Sequence, residues 1–187
     1  VRLRPGYLGF IYRRGESTDA LVQRLEALSG WAQIVGPHGS GKSTLVRALQ
    51  SELAARGCPT LLLELHDGER LLPRGWDRPL RGRPAATVFV DGFEQLSRIA
   101  RIWLKSKCWY RGWNLVVTTH RPTRMATLYE TRVTPQVAEQ VVRTLAGEWA
   151  PTVERSELAV LLERHQGNLR ELLFELYDRY EGQPPSE

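Results

Sequence analysis

Between residues 36 and 44 the chain reads Gly-Pro-His-Gly-Ser-Gly-Lys-Ser-Thr, and these residue types at this spacing suit one chemistry, the grip on a polyphosphate. Glycines let the backbone curl so that successive N–H groups face one anion, while a lysine reaches the outer phosphate oxygens. On this reading Gly36, Pro37, His38, Gly39, Ser40 and Gly41 form the cradle. Lys42 meets the β- and γ-phosphates, and Ser43, followed by Thr44, brings a hydroxyl to Mg²⁺. The residues from Thr44 read as a helix, whose N-terminus adds partial positive charge at the same place. The plainer alternative is a glycine-rich turn with a solvated lysine. The apolar run Trp31–Val35 just before the loop favours the phosphate reading, because the motif requires the order strand, loop, helix.

A phosphate cradle needs a metal partner. Val88-Phe89-Val90-Asp91 is an apolar strand ending in an acid, so Asp91 is the candidate to hold Mg²⁺ through its water shell. The alternative is an aspartate capping the next helix. Gly92 follows, and the next acid is Glu94, either a base that polarises an attacking water or a helix-N-terminal glutamate favoured by the dipole. Val116-Val117-Thr118-Thr119-His120-Arg121 ends another strand in polar residues. Thr118 or Thr119 fits a group that senses a γ-phosphate through water. Arg121 is either a fork for that phosphate or a surface arginine before Pro122. His120 reads as a polar strand end to which the sequence assigns no role.

Positioning these groups takes an alternating fold. Ser17 or Thr18 caps a helix carrying Leu21, Val22, Leu25 and Leu28, after an irregular lead-in over 1–16. Strands are expected at 31–35, 59–65, 86–90 and 114–119, with a short fifth near 129–133. Helices are expected over about 44–56 and 93–110. Residues 67–85, rich in Pro and Gly, read as a long loop with at most one helical turn. Strands alternating with helices imply a parallel sheet covered on both faces, with the phosphate loop at its carboxyl edge. From Thr134 only helices follow, around Val137–Leu145, Leu158–Leu162 and Leu169–Tyr177. The expected organisation is an α/β core over 1–133, a helical lid over 134–182 and a tail at 183–187.

At 187 residues and 42% hydrophobic content, the chain is one domain or one domain with an appendage. Its apolar runs are too short for membrane insertion. No signal pattern opens it, and Cys58 and Cys108 match no metal spacing, so a soluble cytoplasmic protein is expected. The net charge of +5 invites a nucleic-acid partner, but the positive charge is nearly all arginine and forms no long basic block. Arg98, Arg101, Lys105, Lys107 and Arg111 alternate with Trp103, Trp109 and Trp113. This pattern could hold single strands by stacking, but the favoured reading puts the tryptophans in the core and the charges on a solvated face.

Together these pieces resemble the AAA+ and STAND branches of P-loop ATPases, most nearly the bacterial transposition-helper and secretion-associated ATPases. Five segments carry the resemblance and span nearly the whole chain: Tyr12-Arg13-Arg14-Gly15-Glu16, Gly36–Thr44, Val88–Glu94, Val116–Arg121 and Gly167–Leu173. The resemblance implies a three-layer core with a five-stranded parallel sheet in the order 5-1-4-3-2, a small C-terminal helical lid, and ATP/ADP with Mg²⁺ as cofactors. It places Tyr12 and Arg13 near the adenine, and Arg170 as the lid arginine that touches the γ-phosphate; alternatively Arg170 is an exposed helix residue. In ATP-hydrolysing members a glutamate directly follows the metal aspartate, whereas here Gly92 intervenes. Arg98 and Arg101 are the candidates for reaching a neighbouring subunit, so an oligomer is open. The function implied is an ATPase or nucleotide switch acting on a protein partner or on nucleic acid. Two alternatives stand beside it. One is a P-loop small-molecule kinase, with His66-Asp67 as the only acceptor-binding candidate. The other is a nucleic-acid-binding module with a structural nucleotide.

Overall fold

Five short runs rich in β-branched and apolar residues become strands: β1 Trp31–Val35, β2 Thr60–Glu64, β3 Thr87–Asp91, β4 Asn114–Thr119 and β5 Ala126–Glu130. They pair in parallel in the order β2-β3-β4-β1-β5. This is the 5-1-4-3-2 order that the resemblance implied. The structure is a computed structural model and describes residues 9–13, 15–146 and 153–180. Arg14, most of the lead-in and the 183–187 tail lie outside the described residues.

Side-chain alternation divides the sheet between two cores. Val88, Val90, Leu115 and Val117 face one cluster with Leu63, Trp76, Leu80, Phe93 and Leu104. Phe89, Val116, Ala32 and Ile34 face the other, against α1 (Thr18–Ala27) and α2 (Lys42–Ala55). The first cluster is closed by α3, Arg98–Arg111, through Ala100, Leu104 and Cys108. A helix layer on each face explains why the strands are continuous apolar runs rather than half-polar ones. Ser17 caps α1 by accepting from the Ala20 N–H at 3.1 Å.

Two boundaries differ from the sequence expectation. The helix expected from residue 93 begins only at Arg98. Phe93–Gln95 forms a 3-10 turn, Leu96 is extended, and the Ser97 side chain caps α3 by accepting from Ala100 N at 3.2 Å. Gly92 at φ +83° sets up this break, since only glycine takes that backbone without strain. The fifth strand lies earlier than 129–133. Buried Gln33 fixes it there: its amide donates to Met125 O at 2.8 Å and Thr127 Oγ1 at 3.2 Å, and its carbonyl accepts from Thr123 N at 2.9 Å. The long loop holds one 3-10 turn, Arg78–Leu80, as expected.

Contacts divide the chain into two compact units, one of residues 1–36 and 42–130, the other of 37–41 and 131–187. The second contains α4 (Pro135–Ala146), α5 (Arg155–Arg164) and α6 (Leu169–Tyr180). Ala138, Val142, Leu158, Leu161, Leu172 and Leu176 form its own core; all but Ala138, which takes the place expected for Val137, stand at the helical spacing that marked them in the sequence.

Candidate nucleotide site

Lys42 opens α2, and burial pushes its amine below the ordinary lysine value, with Glu94 and then Asp91 pulling the other way. Its Nζ donates to Gly36 O at 2.8 Å and lies 3.2 Å from His120 Nδ1. On the other side of that ring, His120 Nε2 is 2.7 Å from Glu94 Oε1. With the ammonium donating to Nδ1, Nε2 carries the proton and donates to the carboxylate, and Gly36 O, 3.3 Å from Nδ1, takes its hydrogen bond from Lys42. One imidazole therefore links the candidate phosphate lysine to the candidate base. Sequence reading missed it, because His120 lies 78 residues from Lys42 and its neighbours in the Val116–Arg121 segment drew the chemistry instead. The one available signal was its place immediately after β4.

β3 delivers Asp91 and β4 delivers Thr118. The Thr118 hydroxyl donates to Asp91 Oδ1 at 2.6 Å and accepts from Gly92 N at 2.9 Å. Thr118 thus fixes the carboxylate and the turn after it. Thr119 Oγ1 and Glu94 Oε2 are buried with no hydrogen-bond partner among the described residues. Such orphaned oxygens carry an energetic cost that a bound water or ligand removes. Arg101 anchors the Glu94 turn by donating to Glu94 O at 2.7 Å and Leu96 O at 2.8 Å, with its guanidinium over the Phe93 ring. It is committed within the chain, which leaves Arg98 as the exposed member of the expected subunit-reaching pair.

Gly39 and Gly41 have φ of +65° and +92°. A Cβ on Gly39 would meet Asn168 Oδ1 at 1.8 Å, so no larger residue fits there. Ser40 Oγ donates to Pro37 O at 2.8 Å or shares its proton with Thr131 Oγ1 at 2.6 Å. Asn168 Oδ1 also accepts from Arg170 N at 3.1 Å, so the Gly-Asn turn caps α6 with Arg170 exposed in its first turn. Arg121 is exposed. Tyr12 OH pairs with Thr18 Oγ1 at 2.6 Å, and Arg13 donates to Glu130 O at 2.8 Å while stacking over Tyr129. Pro37 and His38 lie in the loop, and Ser43 and Thr44 in the first turn of α2. In the kinase alternative, Asp67 is exposed and accepts from Gln95 Nε2 at 2.8 Å.

The donor set fits Mg²⁺ held lightly. Among the described residues no three His, Cys, Asp or Glu side chains gather as a metal cage. One hydroxyl, Ser43, and one fixed carboxylate, Asp91, suit an ion that keeps most of its waters and leans on phosphate oxygens.

No protein-family model matches this chain, and no curated protein matches it. Solved structures share its fold. The crystal structure of a DNA replication initiation factor aligns over 94% of this chain and 64% of that one, with 17% identity and a TM-score of 0.63. The Walker-type ATPase PABY2304 of Pyrococcus abyssi aligns over 91% and 69%, at 13% identity and TM-score 0.58. AMPPCP-bound DnaA from Aquifex aeolicus aligns over 92% and 64%, at 16% identity and TM-score 0.55. The chain spans less than two thirds of the first of these. The fold is that of P-loop ATPases.

Proposed function

We propose that this chain binds Mg·ATP at the 36–44 loop and works as an AAA+-type ATPase or nucleotide switch, hydrolysing ATP to ADP and phosphate and signalling to a macromolecular partner. The observation that carries the reading is the Lys42–His120–Glu94 relay beside an Asp91 held by Thr118. AMPPCP, a nucleoside triphosphate analogue, bound to a neighbour of the same fold supports it. Two free cysteines suit the cytoplasm, and no helix among the described residues is long and apolar enough to cross a membrane.

The chemistry follows from the residues. Mg²⁺, when bound, would neutralise charge on the β- and γ-phosphates. Lys42 supplies the fixed positive charge on the same oxygens, and the glycines and the α2 N-terminus supply N–H donors. Thr118 takes one oxygen of Asp91 and leaves the other for the ion's water shell. Glu94 accepts a proton from the attacking water, with Oε1 held by His120 and Oε2 buried and in need of a donor. When Lys42 turns to a phosphate, it gives up His120 Nδ1. The imidazole then reports occupancy of the phosphate site to the base. Arg170, Arg121, Tyr12 and Arg13 are proposed as the γ-phosphate and adenine contacts.

The test is Mg·ATP binding and turnover for the wild type, Lys42→Ala and Glu94→Gln. Binding lost in Lys42→Ala together with turnover lost in Glu94→Gln identifies a working ATPase with a displaced base. Binding lost in Lys42→Ala with no turnover in the wild type identifies a switch. No binding by the wild type overturns the proposal.

A further inference from the structure

α3 uses a narrow stripe, Ala100, Leu104 and Cys108, to cover the sheet. Its opposite side is also apolar. Ile99, Ile102, Trp109 and Tyr110 are 80, 66, 79 and 81% exposed, and Trp103 is 49% exposed. With Ser106 they occupy positions 99, 102, 103, 106, 109 and 110, which are the a, d and e positions of two successive heptads. A helix that is apolar on both sides is normally covered on both. Contiguous apolar patches on a surface mark interaction sites, whereas single exposed apolar residues do not. The sequence expectation that these tryptophans enter the core holds only for Trp113, which is buried with Nε1 donating to Arg83 O at 2.9 Å. Trp103 leans edge-on against Trp76, and Trp109 stands outward.

The rim of the stripe selects its occupant. α3 carries five basic residues and no acidic one, so the chain's net charge of +5 equals the charge of this one helix. Lys107 is paired with Asp77 at 2.9 Å. Arg98 and Lys105 border the other side of the stripe and have no acidic partner among the described residues, while Arg101 is held by the Glu94 and Leu96 carbonyls. A second copy of α3 laid on this seam would set cations against cations, which disfavours self-pairing. Single-stranded nucleic acid could stack on Trp103, Trp109 and Tyr110, yet Ile99 and Ile102, among the most exposed of the stripe, offer it no ring, whereas a helix seam uses all five. A helix with an apolar seam and acidic flanks satisfies both the stripe and its rim.

We propose that the outer face of α3 is the docking site for an acidic amphipathic helix of a partner protein. The surface owes nothing to the nucleotide reading and stands or falls separately from it. The probe is a displayed library of helical peptides about three heptads long, randomised at seam and flanking positions. It is selected on the full chain and followed by affinity measurement. The expected winners carry Leu, Ile or Phe along the seam and Asp or Glu on the flank. Their affinity falls at least about tenfold in Ile102→Ser and in Trp109→Ala. Lys105→Glu moves the selected flanks toward basic residues. Both apolar positions are exposed, so unchanged circular dichroism and melting temperature show that the fold survives. The proposal is overturned if no peptide is selected, if the winners lack acidic flanks, or if binding survives Trp109→Ala. It is overturned equally if sedimentation shows a dimer that Ile102→Ser dissolves, or if a thymidine single strand of about 20 nucleotides displaces the selected peptide.

Discussion

At the residue scale, His120 is the informative position. It ties Lys42 to Glu94 through its two ring nitrogens. In His120→Ala, the single-turnover rate of ATP hydrolysis is expected to fall about tenfold to a hundredfold, because a general base that loses its orienting donor loses much of its effect. ATP affinity is expected to stay within a few-fold. His120→Gln, whose amide can donate to Glu94, is expected to restore part of the rate. An unchanged rate in both variants would show that the relay is not used. The places of Lys42 and Asp91 beside strand ends could be read in the sequence, whereas Thr118, read with Thr119 as a γ-phosphate sensor, was not expected to donate to Asp91. His120 could not be read there, because its meaning lies in a contact between β4 and the start of α2 that no local pattern encodes. Arg101 was misjudged for a similar reason. A cation at helical spacing looks free until the carbonyls of Glu94 and Leu96 are brought under it.

At the element scale, what could be read were the strands, since a sheet covered on both faces leaves unbroken apolar runs. The start of α3 and the place of β5 could not be read. The first depends on a left-handed Gly92 and the second on the buried amide of Gln33. In the helical unit, Glu175 on α6 receives His165 Nε2 at 2.6 Å, Arg164 at 2.8 Å and Arg179. His165 first, then Arg179 and Arg164, hold its carboxyl below the ordinary glutamate value of 4.5. A carboxylate depressed on folding stabilises the folded state above its unfolded value. That contribution is lost as pH falls from 4.5 through the folded value. Glu175→Gln is therefore expected to unfold at a lower temperature than the wild type at pH 7. The gap should close as the pH drops below about 4, in thermal melts followed by circular dichroism. A gap that persists in acid would assign the effect to packing instead.

At the scale of the whole molecule, ligand binding is expected to register as stability. With Mg·ATP at about a hundred times its dissociation constant, the folded state gains about 2.7 kcal/mol. For a chain of this size that is a rise in melting temperature of about 5–10 °C, and Lys42→Ala should show none of it. A wild type that melts unchanged while binding is detected by other means would point to a nucleotide held equally by unfolded chain. The parallel sheet was legible at this scale from alternation alone, whereas its strand order came only through resemblance to a family. The cations of α3 could be read in the sequence at near-helical spacing, but the outward apolar seam beside them needed the fold to show which side faces water. The two compact units also do not divide the chain at one point. The second takes residues 37–41 from the middle of the first, where Ser40 meets Thr131 and Gly39 leaves room for Asn168. Recombination that exchanged everything after Glu130 for a relative's sequence would leave those five residues behind, facing a stranger. The loop and the helices it joins must therefore be inherited together, and a chimera made at that junction needs Gly39 and Ser40 matched to the incoming helices.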